Sequence, residues 1–201
     1  MALKGIDTAP AALRSALTDQ EERELLTRIA QKREQAAFRQ LYGIYYQRLT
    51  RLLNRMSMRR EDIEEIINDT FWVVWTKASD FRGASQLSTW IIGIAYRRAL
   101  NTLRRERLRP VGSEPVADDM MAVASCAVGE ERSQWIQHGL DKLPLEQRLT
   151  LELTYTLGHS CEEIATILSC PVNTVKTRLF RARETLKQVL PALAGGSGDL
   201  S

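Results

Sequence analysis

Apolar residues along this chain recur at spacings of three and four, the signature of helices buried on one side. Leu25, Leu26 and Ile29 form a short stripe, and Phe38, Leu41, Tyr45, Leu49, Leu52 and Met56 form a longer one. A third helix is predicted from near Asp62, with Ile63, Ile66, Ile67, Phe71, Val74 and Trp75 inward. FRGASQ (residues 81–86) has the composition of a turn, and STWIIGIAYRRALNTLRRER then reads as one long helix capped by Ser88. No period-2 run bounded by hairpin turns interrupts the pattern, so strands are not expected. From Pro110 to about Glu131, Pro, Gly, Ser and acids break the periodicity as a linker does. A second periodic block runs from Trp135 to about Leu190. The closing AGGSGDLS has too little apolar content to fold. The expected fold class is all-α: two small helical domains joined by a flexible acidic linker, the second with a helix-turn-helix. The expected segments are an N-terminal extension (1–20), a first domain (21–109), the linker (110–134), a second domain (135–190) and a disordered tail (191–201).

The second block carries the most specific local pattern. Ser160 can cap a helix, and Glu163, three residues on, completes a capping box. Ile164, Ala165 and Leu168 face inward, the helix ends near Ser169, and Pro171 stands where another helix begins. Val175, Leu179, Ala182 and Leu186 then repeat at helical spacing. Two short helices joined by a tight turn, the second basic, are the layout of a helix-turn-helix. Thr174, Thr177, Arg178 and Arg181 lie on one flank of the apolar stripe; Lys176, Arg183 and Lys187 lie on the other. Both flanks can touch DNA while the stripe stays in the core. The competing reading is a solvated cationic face, against which the capped helix and the Pro171 turn argue. Arg178 is the leading candidate for a base contact, because its fork fits guanine.

Charge sharpens this picture. The net charge of the 201 residues is only +3, but it is sorted along the chain. Residues 1–109 carry 20 Lys/Arg against 13 Asp/Glu, residues 110–134 one against five, and residues 135–201 seven against seven. Such sorting concerns partners rather than fold. Arg97, Arg98, Arg104, Arg105, Arg107 and Arg109 crowd the end of the first block, with Trp90 and Tyr96 on the preceding turns. Cations interleaved with aromatics suit single-stranded nucleic acid, although Trp90 reads better as core.

Other classes are disfavoured. No run of about 18 apolar residues exists, so no membrane insertion is expected, and the N-terminus lacks a secretory signal, which points to the cytoplasm. Cys126, Cys161 and Cys170 are odd in number without a CxxC pair, so neither a metal site nor a disulfide framework is expected. Cys170 reads as core, Cys161 as a helix start and Cys126 as a linker position. His138 and His159 lack a nucleophile or acid constellation, and no glycine-rich phosphate loop is present. No cofactor and no catalysis are therefore expected.

DIEEIINDTFWVVW, then FRGASQLSTWIIGIAYRRALNTLRR, then LPLEQR, EEIA and TVKTRLFRAR, in this order around an acidic linker, resemble the extracytoplasmic-function group of bacterial RNA polymerase sigma factors. The resemblance covers roughly residues 35–106 and 135–190. It implies a protein that binds core RNA polymerase through the clamp of its largest subunit and the flap, and directs it to promoter DNA. The second domain would read the upstream (−35) element as duplex through Asn173, Thr174, Lys176, Thr177, Arg178, Arg181 and Arg183. The first would help open the downstream (−10) element. Phe81, Arg82, Ser85 and Gln86 match the loop that cups an extruded base. Tyr96, Arg97, Arg98, Asn101, Arg104 and Arg105 match the helix beside it. Glu65, Asn68, Asp69, Phe71 and Trp75 match the polymerase-docking helix. The linker would run near the active-site and RNA-exit channels, and an anti-sigma factor is a further expected partner. Three positions depart from the group's habit: Asn68 where Gln is frequent, Arg97 where Asn is frequent, and Asn173 where Gly is frequent. The alternative from another class is a stand-alone helix-turn-helix regulator with a helical sensor or dimerisation domain.

Overall fold

The computed structural model describes residues 17–107 and 139–195. The expected linker, with Cys126, His138 and Arg109, lies outside them, as do residues 196–201 of the expected tail; residues 191–195, expected to be disordered, instead continue the last helix, which runs to Gly195.

Every extended regular element among the described residues is helical. The first block comprises α1 (Asp19–Lys32), α2 (Gln35–Arg55), α3 (Arg60–Lys77), a 3₁₀ turn (Ala78–Asp80) and α4 (Leu87–Arg107). The second comprises α5 (Leu145–Leu151), a π turn (Glu152–Thr156), α6 (Cys161–Leu168) and α7 (Val172–Gly195).

Local chemistry sets several of the helix ends. Thr18 and Glu21 form a reciprocal capping box at the start of α1, and Arg33 ends the helix in the left-handed region at φ 49°. Ser160 and Glu163 do the same for α6, which closes on Ser169 at φ 51°. Each such cap is worth about 1 kcal/mol. Pro171 precedes α7, and its carbonyl accepts from Thr174 N–H at 2.9 Å. The third helix starts at Arg60, close to the expected Asp62, which is buried in its first turn and held by Arg59 Nε at 2.8 Å. One expectation needs correction. Ser88 does not cap α4; it lies inside the first turn, and the carboxylate of Asp19, on α1, accepts from Leu87 N–H at 2.9 Å.

The core of the first block is the stripe of α2, where Leu41, Tyr45, Leu49, Leu52 and Leu53 are fully buried. Each such leucine contributes about 1.5–3 kcal/mol by leaving water. α1 lies across it through Leu25, Leu26 and Ile29 and brings a buried carboxylate, Glu22. Tyr45 Oη donates to Glu22 at 2.5 Å, and Arg48 lies 3.3 Å from its other oxygen, so that charge is paired. Burial, with Glu22 alongside, pushes the Tyr45 hydroxyl well above its ordinary range.

The two blocks pack against each other, α4 on α6, and their buried residues form one continuous apolar cluster. Polar contacts also cross the seam. Arg55, at the end of α2, meets buried Glu152 at 3.1 Å, and Thr89 Oγ1 donates to Glu163 at 3.3 Å. Glu163 is also the capping-box carboxylate of α6. The neighbouring His159 imidazole and the Ser160 N–H together hold its carboxyl down to about 2, against desolvation.

Candidate nucleic-acid interface

Helix α7 presents one face by burying another. Val175, Leu179 and Ala182 are buried, which turns Asn173, Lys176, Thr177, Phe180, Arg181 and Arg183 outward. Thr174 and Arg178 are half-buried at the edge of that face. Asn173, Thr174, Thr177, Arg178 and Arg181 line an open groove of about 300 Å³. No described carboxylate pairs with Lys176 or Arg181. Arg183 is committed differently: its guanidinium lies over the Tyr155 ring at 5.6 Å and donates to the Tyr155 hydroxyl at 2.8 Å. Arg178 is also engaged. It donates to Cys170 Sγ at 3.6 Å and sits 3.9 Å from Glu146. Cys170, expected in the core, is half-buried at this edge.

Phe180 was not among the expected site residues. It is 65% exposed in the middle of the cationic face. Its helical phase was the available signal: it follows Leu179 by one residue, so it must leave the Val175–Leu179–Ala182 stripe. An aromatic ring standing in water among unpaired cations marks a contact surface better than any single cation does.

The arginine-rich helix of the first block behaves differently. Tyr96, an expected downstream-element contact, is buried at 7% exposure, and desolvation raises its hydroxyl pKa while Arg178 of the other block opposes the rise. Arg98 is half-buried and ion-paired to Asp69 on α3. Arg97 is exposed, with its guanidinium over Gly93, where a Cβ would stand 3.2 Å from Nη1. Asn101, Arg104 and Arg105 are exposed farther along. In the preceding loop Arg82 and Gln86 are exposed. Ser85 and Phe81 are half-buried, the Phe81 ring 5.4 Å from Trp90, itself half-buried.

On α3 the expected docking residues divide in two. Glu65 and Asn68 are exposed, while Asp69 is half-buried in its pair with Arg98. Phe71 is core, as its inward phase predicts: at 2% exposure it lies edge-on to Phe38 and 4.7 Å from Tyr42. Trp75 is half-buried between Phe38 at 5.1 Å and the Arg33 guanidinium at 5.7 Å. The exposed ring is Trp72, at 66%, which the sequence reading passed over. Glu65, Asn68 and Trp72 stand at i, i+3 and i+7 and so form one ridge. Among the described residues no cluster of metal-ligating side chains exists, and no helix is long and apolar enough to cross a membrane.

Comparison with known proteins fits both blocks. Residues 41–109 match the model of sigma-70 region 2, and residues 133–186 match that of sigma-70 region 4. The chain is 31% identical over 182 residues to the ECF RNA polymerase sigma-E factor of Salmonella typhimurium, covering 85% of this chain and 93% of the relative. It is 28% identical over 189 residues to the RNA polymerase sigma-H factor of Pseudomonas aeruginosa, covering 88% and 97%. Among solved structures, CnrH bound to the cytosolic domain of CnrY shares the fold, with a TM-score of 0.61 and 24% identity over 85% of this chain and 97% of that one. The sigma factor RpoE of Bartonella quintana, bound to the anti-sigma factor NepR, gives a TM-score of 0.59 and 25% identity over 77% and 96%.

Proposed function

The chain belongs to the extracytoplasmic-function group of RNA polymerase sigma factors, and from that premise we propose that its exposed residues divide promoter recognition and polymerase docking among three surfaces. As a sigma factor it binds core RNA polymerase and directs initiation at a set of promoters; members of this family are specificity subunits and not enzymes. The stand-alone regulator is set aside, because it leaves the region 2 match of the first block without a purpose.

The observation that carries the reading is the outward face of α7. Lys176 and Arg181 meet phosphates of the upstream duplex, with Thr177, Asn173 and Phe180 against base edges and thymine methyls. Arg178 reaches a base after leaving Glu146 and Cys170, and Arg183 holds α7 to the π turn through Tyr155. In the first block, Arg82, Gln86, Arg97, Asn101, Arg104 and Arg105 face the opened downstream element. Tyr96 joins them only when α4 and α6 part, since the second block covers it here. Glu65, Asn68 and Trp72 form the docking ridge for the polymerase, with Phe71 and Trp75 supporting it from beneath. By likeness to the Bartonella sigma factor, an anti-sigma factor is a further proposed partner, and a location in the cytoplasm follows from the polymerase.

Size-exclusion chromatography of the chain with core RNA polymerase tests the docking surface. Wild type should co-elute stoichiometrically, and Glu65→Arg combined with Trp72→Ala should lose co-elution while keeping its helical circular dichroism. Undiminished co-elution of that variant would move the docking ridge elsewhere.

A further inference from the structure

The 81–86 loop has no regular structure of its own, yet two side chains of α1 hold it at every second residue. Arg23 Nη2 donates to the Ser85 carbonyl at 2.7 Å, and Nη1 reaches the Gly83 carbonyl at 3.5 Å. The same guanidinium lies 5.3 Å from the centre of the Phe81 ring. Its Nε is anchored by Asp19 at 2.6 Å, and the other oxygen of Asp19 accepts from Leu87 N–H at 2.9 Å. One ion pair therefore touches residues 81, 83, 85 and 87, and the exposed side chains between them are Arg82, Ala84 and Gln86. Gly83 is fitted to the grip. Its φ is +71°, which favours glycine, and a Cβ there would stand 2.9 Å from Arg23 Nη1.

We infer that Asp19 and Arg23 are positioning residues for promoter opening, a clamp that presents Arg82 and Gln86 to the extruded downstream base. The inference rests on the proposed role of this loop. Two charge-assisted bonds to carbonyls and a cation over Phe81 immobilise a segment whose own residues form no helix or sheet. A pocket for a flipped base loses less binding free energy to ordering when its contacts are fixed before the base arrives. The clamp thus fixes the loop before DNA binds, so the base does not have to order it.

The test uses holoenzyme reconstituted from core polymerase and the full chain, with a library of promoter duplexes randomised across the downstream element. Transcripts are sequenced to score base preference, and a 2-aminopurine probe in a selected promoter reports opening. Arg23→Ala should reduce opening by about tenfold and flatten preference at the extruded position, with polymerase affinity and upstream preference unchanged. Arg23→Lys, which keeps the charge but loses the fixed planar fork that spans Asp19 and the two carbonyls, should fall between. Gly83→Ala, which disturbs the grip from the loop side, should resemble Arg23→Ala. If Arg82→Ala or Gln86→Ala alters base preference while Arg23→Ala keeps wild-type opening and preference, the clamp is overturned and the loop keeps its role. If none of the four positions alters preference, the loop role fails and the clamp fails with it. A uniform loss of polymerase affinity, opening and upstream use in Arg23→Ala would reduce the residue to a structural one and also overturn the inference.

Discussion

Helices α4 and α7 look alike in sequence, both being long and basic with an apolar stripe, yet their middle turns are held differently. On α7, no described carboxylate pairs with Lys176 or Arg181, which flank an exposed Phe180. On α4, Arg98 pairs with Asp69 and Tyr96 is buried, while Arg97 stays exposed over Gly93. The helix boundaries differ in the same sense. α7 follows a capped helix and a proline, all within a dozen residues, whereas α4 takes its cap from Asp19, 68 residues earlier in the chain. A motif whose parts are neighbours in sequence is a finished surface. A helix that depends on distant partners becomes one only when those partners let go.

The contrast is most easily broken at α7. Lys176→Glu with Arg181→Glu should weaken holoenzyme binding to an upstream-element duplex on the order of 10²-fold at moderate salt. It should also lower the slope of log affinity against log salt by about two, measured by fluorescence anisotropy. Arg97→Glu on α4 should leave that slope unchanged.

A smaller effect concerns the seam that covers Tyr96. Glu163 caps α6, bonds Thr89 across the seam and has its carboxyl held at about 2 against an ordinary 4.5. A depressed folded-state value means this contribution is fully present above about pH 4.5 and is lost as the pH falls towards 2. Thermal unfolding should therefore show wild type losing more stability than Glu163→Gln between pH 5 and pH 3. Equal losses would show that Glu163 does not couple folding to protons.

The smallest effect should come from Arg98→Ala. The pair with Asp69 is partly exposed, so its loss should cost at most about 0.5–1 kcal/mol in urea unfolding. Its value is in sharpening the comparison, because freeing Asp69 should change polymerase affinity if that carboxylate adds to the ridge of Glu65, Asn68 and Trp72.

Much of the fold was legible because helices are written in neighbours. The stripe of α2, the Ser160–Glu163 box, the stop at Ser169 and the Pro171 start all follow from spacings of three or four residues, and each stands where the pattern predicts. The misreadings share another cause. Phe71 and Trp72 are adjacent aromatics, and Trp72, which helical phase turns outward, was not among the expected docking residues. Ser88 had the right chemistry for a cap but stands two residues past the cap position.

By itself the sequence determined an all-helical chain, two blocks, and a capped helix-turn-helix with a basic second helix, because those features depend on local hydrogen bonding and on periodic burial. Which arginines are paired was decided by tertiary structure, whereas the phase of each helix already marked which aromatic rings leave its apolar stripe. Tertiary structure also decided the grip of α1 on the 81–86 loop. An ion pair such as Arg98–Asp69, or a cap such as Asp19 on Leu87, joins residues tens of positions apart, and no local spacing encodes which distant carboxylate will arrive.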